Sequence, residues 1–500
     1  MHLFAEKRFG VVTTLASFSA SLHYSGKTQN IGSYFHLSTS IFWIDFGDSI
    51  KKSVRKIRKR IYIYYSKNNR ITAKMNLKIS NSTLNGEISV PGSKSHTIRA
   101  VAIASMAEGY STIVNPLLSG DTLSSLNAAE ALGAEVERKN DFWRIKGIRK
   151  IKQFAKTIDL GNSGTSLRIF TALSALGNTT YKFDGDSSLR TREMKPLLNS
   201  LEELGAETSS TNYKCPLSVR GPLRGGHTTI DAKSSQFLTA LLLASPLIRG
   251  NKTEITVTHI NEKPYIEITL DWLKRQEIEI DYTEDFFYFS IPSKQAYKKF
   301  EYSIPADFST ATFPLLAASI TKGEIKIKNL DFNDYQGDKE IFSIFEKMGV
   351  HLEKKENLVI VKGPEKLKPI TVDLNSTPDA LPALSVAMCF AEGKSEILNV
   401  PQARIKETDR IASMTCELRK MGAEIEELPD GMIIYGKGQL NGKEVNGHED
   451  HRIIMALCIA GLAANGDTIV NGVESAGVTY PGFIKDFKKL GANFSEIMHS

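Results

Sequence analysis

The feature that most constrains this chain is one short phrase repeated six times, at intervals of about 72 residues. In each copy a helical run stops and a strand starts at once. The copies are EALGAEVE around Gly133, LEELGAETS around Gly205, LKRQEIEID around Glu277, FEKMGVHLE around Gly349, LRKMGAEIEE around Gly422 and FKKLGANFSE around Gly491. Glycine just past a helix accepts the left-handed conformation that closes it, and the next residues leave extended. Only the third copy lacks the glycine, with Glu277 in its place.

A second phrase recurs in phase with the first. Small polar turns precede apolar helical runs at PGSKSHTIR (91–99), LGNSGTSLR (160–168), DAKSSQF (231–237), PADFSTATF (305–313), NSTPDALPAL (375–384) and HEDHRIIMA (448–456). Their Ser, Asp, Asn and Thr residues are N-cap types. Each unit therefore offers a helix N-terminus with free N–H groups and partial positive charge. A single turn of this kind is an ordinary cap. Six in phase, with Lys or Arg close by, point to an anionic ligand.

The pattern in each unit is strand, polar turn, helix, further strands, helix, stop, strand. This predicts an α/β fold with mixed sheets, three units in 92–306 and three in 307–500. The segment LKISNSTLNGEISV (77–90) belongs to neither set and is expected to complete the second. The chain then crosses between two globules twice, near 91–93 and 304–307. Two globules joined by two crossings make a hinge with a ligand cleft between them. The predicted domains are 75–91 with 307–500, and 92–306.

Charge narrows the partners. Residues 1–74 carry 13 Lys/Arg against 3 Asp/Glu, a net of +10, so the rest holds −3 of the formal +7. The repeats are thus not a nucleic-acid surface by charge. The leader 1–74 lacks the periodic pattern and is expected to be an extension, disordered or non-native. Its Ser-rich start also fits a transit peptide, and KKSVRKIRKR (51–60) a nucleic-acid or membrane arm. Cysteines 215, 389, 416 and 458 are scattered without CxxC spacing. Three sit in apolar helical contexts and are expected to be reduced core residues, as in a cytoplasmic protein. The apolar run at 238–248 is too short to span a membrane.

The densest charged segment is ARIKETDRI (403–411), which holds Arg404, Lys406, Glu407, Asp409 and Arg410. In isolation it is a solvated helix face; after the strand-like EILNV it starts a helix where a site is expected. Asp379 lies at the mouth of the preceding unit. Asp379 and Glu407 are therefore candidate carboxylates for acid–base work. Lys94, Arg99, Arg168, Arg192, Arg410 and Arg452 all lie in or beside the polar turns. That excess of cations suits substrates with several phosphate and carboxylate groups.

The segments PGSKSHTIR, LGNSGTSLR, AKSSQFLTALLLA, KPYIEIT, TPDALPALSVA, RIKETDRI and EDHRIIMA, in this order, resemble the enolpyruvyl transferases over about 75–490. The family fold is two globules of three βαβαββ units each, closing on substrate. The resemblance is to the branch that moves the carboxyvinyl group of phosphoenolpyruvate to the 5-hydroxyl of shikimate 3-phosphate and releases phosphate. It implies that Lys94, Ser95, Arg99, Ser234, Ser235, Gln236, Tyr265, Asp379, Gln402 and Lys406 bind shikimate 3-phosphate. It further implies that Lys94, Gly164, Arg192, Gln236, Arg410 and Arg452 bind phosphoenolpyruvate. Asp379 would accept the hydroxyl proton, and Glu407, assisted by Lys94, would protonate the vinyl methylene. No metal or organic cofactor is implied, because the cations neutralise the anions. A monomer acting on small molecules, with no nucleic-acid or membrane partner, is expected.

Three departures stand out. Val478 occupies the place of a family Lys, removing one phosphate contact; Lys485 is a possible substitute. Gln402 replaces an Asn, and TREMKP (191–196) replaces the commoner Arg-Pro-Met run beside Arg192. Against the sister branch that uses UDP-N-acetylglucosamine, 184–196 has no Cys. An RNA-terminal-phosphate cyclase would use a catalytic His, and His96 and His451 lie at polar turns. HEDH (448–451) also has metal-ligand types, but fits a helix start capped by Asp450. A catalytically dead homologue that keeps its anion pocket remains the alternative of another class.

Overall fold

The computed structural model describes residues 75–148 and 151–498, which lie within one compact unit, Ala73–Ser500. The expectations placed on 1–74 fall outside the described residues. The six polar turns each open a helix: α1 (Lys94–Met106), α2 (Gly164–Ser174), α3 (Ser235–Ala244), α4 (Phe308–Thr321), α5 (Leu381–Phe390) and α6 (His451–Ala463). Four are capped by a side chain accepting a backbone N–H: Ser93, Ser163, Asp307 and Asp450. α4, α5 and α6 are apolar nearly all round, so they pack on one another inside the protein.

Among the described residues, six four-stranded sheets of identical plan lie outside the helices. Each has one parallel pair followed by two antiparallel pairings. The second sheet shows the rule: Thr157–Asp159 pairs in parallel with Thr180–Asp184, which pairs antiparallel with Lys214–Arg220, itself antiparallel to Glu207–Thr211. Strands alternate buried and exposed residues because one face rests on helices and the other meets water.

Three of the sheets are finished by distant chain. The segment 77–90 contributes to two strands, Met75–Ser80 and Asn85–Ser89, parted by a Ser/Asn/Thr stretch. The first enters between Thr468–Asn471 and Asn493–Met498, with Leu77 opposite Val470 and Glu496. The second pairs in parallel with Glu324–Lys328, Ile88 opposite Ile327. Conversely, Glu301–Ser303 returns to pair with Tyr110–Val114 of the first sheet.

Two hydrophobic cores result. One gathers Leu77–Val90 with Ala306–Phe494, the other Ile98–Ile304. The chain passes between them at 91–93 and 304–307, and the two passages lie side by side. Ser93 N–H donates to Pro305 O at 2.8 Å and Asp307 N–H to Pro91 O at 3.0 Å. Gly92 sits here because a Cβ would lie 2.5 Å from the Asn115 carbonyl oxygen. Cys215, Cys389 and Cys458 are buried, but Cys416 is exposed on the helix Arg410–Lys420, so one of the helical cysteines is not a core residue.

The repeated stop is literal. Gly133, Gly205, Gly349, Gly422 and Gly491 all have φ between 93° and 116°, and Glu277 adopts 55° at the same point. A side chain in that region costs about 1 kcal/mol. Glu277→Gly should therefore raise stability by about 1 kcal/mol, read as a higher thermal midpoint. A midpoint that does not rise would show that the exposed Glu277–Lys298 ion pair matters more than the backbone.

Candidate active site

The N-termini of the helices from both cores converge on one cleft. On the second core, Arg410 is the centre. It is 1% exposed, and its guanidinium meets three carboxylates: Asp450 through Nε at 2.8 Å, Asp379 through Nη1 at 2.7 Å and Glu407 through Nη2 at 2.7 Å. Arg410 starts its own helix, Asp379 lies in the turn Pro378–Ala380 before α5, and Asp450 caps α6. Arg452, the second residue of α6, pairs with Asp379 at 2.7 Å and donates to Ser309 of α4. All three units of this core are tied together by these groups.

Both carboxylates are held ionised. Burial alone would raise the Asp379 carboxyl, but Arg452, Arg410 and Lys406 outweigh it and push it far below the usual range. Burial works against the charge of Glu407 as well, but Arg410, Arg192 and Lys94 push its carboxyl well down. Lys94 sits opposite. Burial works against its charge, yet Asp121 at 3.2 Å, with Glu407 and Asp379, keeps it a firm cation. Burial, with the nearby cations, holds His451 neutral, its pKa well below normal.

The first core contributes a more positive corner. Arg168 donates to Gln236 Oε1 at 3.0 Å, and Arg192 to Asn162 and Ser188, with Glu407 at 3.9 Å. Burial and then Arg192 lower the Arg168 pKa, a sign of uncompensated positive charge. Gly164 stands beneath both guanidiniums. An added Cβ would lie 2.3 Å from Arg168 Nη1 and 2.8 Å from Arg192 Nη1, so the missing side chain is what lets the two cations sit here. Arg190, the other arginine of this segment, turns away to Asp184.

Several expected residues are placed differently from free ligand donors. Arg99 is buried and donates to Thr269, Thr239, Ser95 O and Tyr265 O, bracing α1 against the helix Lys263–Arg275. Gln402 is 2% exposed, donates to Asn375 O at 2.8 Å, and leaves Oε1 without a partner among the described residues. Ser234 precedes α3 but its side chain caps nothing. His96 is fully buried: its Nδ1 accepts from Trp272 Nε1 at 3.1 Å and its Nε2 faces Asp334 at 3.2 Å. It is a structural residue, not a free nucleophile. Val478 lies half-buried in the turn Val473–Val478, and Lys485 is exposed on the helix Phe483–Lys489.

Contacts also cross between the cores. Asp307 accepts from Lys94 N–H at 3.0 Å, Ser188 donates to Glu407 O at 3.0 Å, and Asn375 donates to Asn261 at 2.9 Å. Tyr265 donates to Asp338 at 2.9 Å. Between Lys94, Ser95 and Tyr265 on one side and Asp338, Asp379 and Arg452 on the other remains a cavity of about 10 Å³, room for one water. Glu262 and Asp121, neither singled out by the motifs, neutralise Lys406 and Lys94 in this cleft, and Asp338 faces the Tyr265 hydroxyl. No single-residue pattern marks them; each acts through tertiary contact.

A hinged pair of repeat lobes, with cations and two ionised carboxylates gathered at opposed helix N-termini, defines a transferase of polyanionic substrates. The family model for EPSP synthase (3-phosphoshikimate 1-carboxyvinyltransferase) matches residues 79–487, and the chain belongs to that family. It is 43% identical to the 3-phosphoshikimate 1-carboxyvinyltransferase of Ruminiclostridium cellulolyticum, over 85% of this chain and 100% of that protein. It is 45% identical to the enzyme of the same name from Acetivibrio thermocellus, over 84% and 99%. The solved EPSP synthase of Acinetobacter baumannii superposes with a TM-score of 0.72 at 26% identity, over 85% of this chain and all of the other.

Asp338 gives the site a pH signature. Burial, then the neighbouring Asp379, raises its carboxyl to about 7. Between the unfolded value near 4 and 7 the folded state holds the extra proton, so this group's contribution falls as pH rises. Asp338→Asn should gain stability relative to the unaltered chain as pH goes from 5 to 8, followed by thermal midpoints. A constant difference across that range would mean that Asp338 is ionised throughout.

Proposed function

We propose that this chain transfers the carboxyvinyl group of phosphoenolpyruvate to the 5-hydroxyl of shikimate 3-phosphate and releases phosphate, a step toward aromatic amino acids. The observation that carries the proposal is the convergence of Lys94, Arg192, Arg410 and Arg452 on the ionised pair Asp379 and Glu407. We assign 75–91 with 307–500, and 92–306, as the two domains that close on the substrates. The chain is proposed to act in the cytoplasm as a monomer, on these small anions and on neither nucleic acid nor membrane. No helix among the described residues is long and apolar enough to cross a membrane.

The chemistry follows from the charges. Arg168, Arg192, Gln236 and Gly164 form the corner assigned to phosphoenolpyruvate, completed by Lys94, Arg410 and Arg452. Ser95, Ser234, Ser235, Gln236, Tyr265 and Lys406 are assigned to shikimate 3-phosphate, with Arg99 and Gln402 supporting from behind. Asp379, ionised, takes the proton of the 5-hydroxyl as its oxygen bonds to the central carbon of phosphoenolpyruvate. Glu407 must be protonated to supply the methylene carbon. Substrate anions that draw Arg410 and Arg192 away from it would raise its proton affinity. The tetrahedral adduct then returns a methyl proton to Glu407 as phosphate leaves with the proton held by Asp379, regenerating the vinyl group and both starting carboxyl states. Neutralisation of developing charge by fixed cations, in a cleft shut to water, is the main contribution asked of the protein.

Phosphate release should require both substrates and vanish in Asp379→Ala. Release without shikimate 3-phosphate, or none from the folded chain, would overturn the proposal. Glu407→Gln should keep the fold and lower turnover by about 10²–10⁴-fold; near-normal turnover would remove Glu407 from proton transfer. Val478→Lys should restore a charge-assisted contact and tighten phosphoenolpyruvate binding by about 10–150-fold. Unchanged binding would show that another cation already meets that phosphate.

A further inference from the structure

Glu262 stands where the donors of the phosphate pocket meet. It links the strand Thr253–Ile260 to the helix Lys263–Arg275 with a φ of 58°, and it is 1% exposed. Its Oε2 accepts from the backbone N–H of Ser235 at 3.1 Å and from the Ser235 hydroxyl at 2.7 Å. Its Oε1 pairs with Lys406 Nζ. Ser235 opens α3 at the edge of one core, whereas Lys406 leads into the Arg410 helix of the other. The Glu262 N–H reaches across as well, to Asn375 Oδ1 at 3.4 Å.

A helix N-terminus, its hydroxyl and a facing lysine are the donors that bind an oxyanion of phosphate. Here a side-chain carboxylate already has all three. A carboxylate serving only to hold one lobe together would be paired within that lobe; this one spans the cleft, as a bound phosphate would.

The geometry points to Glu262 as a resident anion: its carboxylate occupies the subsite of the substrate phosphate, and shikimate 3-phosphate binds by displacing it. The inference rests on the proposed assignment of Ser235 and Lys406 to that phosphate. Its consequence is selectivity. A dianionic phosphate with three acceptor oxygens can outcompete a single carboxylate for these donors. A singly charged or unphosphorylated ligand cannot, so Glu262 would act as a specificity-determining residue through competition.

The test is calorimetric titration of the purified chain with shikimate 3-phosphate alone, comparing Glu262→Gln and Glu262→Gly with Ser235→Ala and Lys406→Met. Glycine accepts the left-handed backbone, and glutamine keeps the shape, so at least one variant retains the fold. We expect both Glu262 variants to bind at least about fivefold tighter, and Ser235→Ala and Lys406→Met to bind more weakly. If the latter two weaken binding while the Glu262 variants bind equally or less well, Glu262 supports the pocket and the inference fails alone. If Ser235→Ala and Lys406→Met leave affinity unchanged, the phosphate is held elsewhere, and both the inference and the pocket assignment fall.

Discussion

The cluster around Arg410 is the interaction on which the rest of the site depends. One buried guanidinium holds three carboxylates drawn from two successive units, and Arg452 extends the chain of ion pairs to the third. A charge so deeply buried persists only when every partner is in place. Those partners are the caps and first turns of helices whose shafts are apolar and inaccessible. The repeat buries the shafts, the buried shafts fix where their N-termini point, and the ion cluster fixes the candidate acid–base groups. Removing any one partner leaves uncompensated charge in the middle of the lobe.

The fold was legible because its signals are local and periodic. Glycine stops and polar caps recur in phase, and each answers to a backbone need that a single residue meets. Even Glu277 keeps the conformation of the glycines it replaces. The split of 77–90 into strands of two different sheets was not legible, since nothing within those residues records that Met75–Ser80 pairs with Asn493–Met498. The cations of the site were visible at the polar turns. Their countercharges were not: Asp121 and Glu262 acquire meaning only through neighbours tens to hundreds of residues away. Arg99 shows what a motif leaves out. Its motif resembles a ligand contact, whereas its guanidinium is spent on Thr269, Thr239 and two carbonyls.

The cleft is self-neutralised. Asp379 holds Arg410 and Arg452, Glu262 holds Lys406, and Asp121 holds Lys94. On the proposed assignment of these residues, substrate anions would exchange partners with the protein rather than fill bare charges. Binding strength becomes a difference between two sets of ion pairs, each already desolvated, which favours ligands with more charge and more oxygen atoms. The Arg168–Arg192 corner differs: two buried guanidiniums lie side by side there, with Glu407 the facing carboxylate at 3.9 Å.

The side-by-side passages at 91–93 and 304–307 carry a consequence for how the chain is made. Synthesis runs from the N-terminus, so the stretch 92–306 emerges whole and can close its own three sheets as soon as Glu301–Ser303 is free. The strand Met75–Ser80 must wait for Asn493–Met498, the last strand described. One lobe is thus completed during translation and the other only at its end. Until then Met75–Ser80 lacks both of its sheet partners, an unpaired strand beside a lobe able to close first.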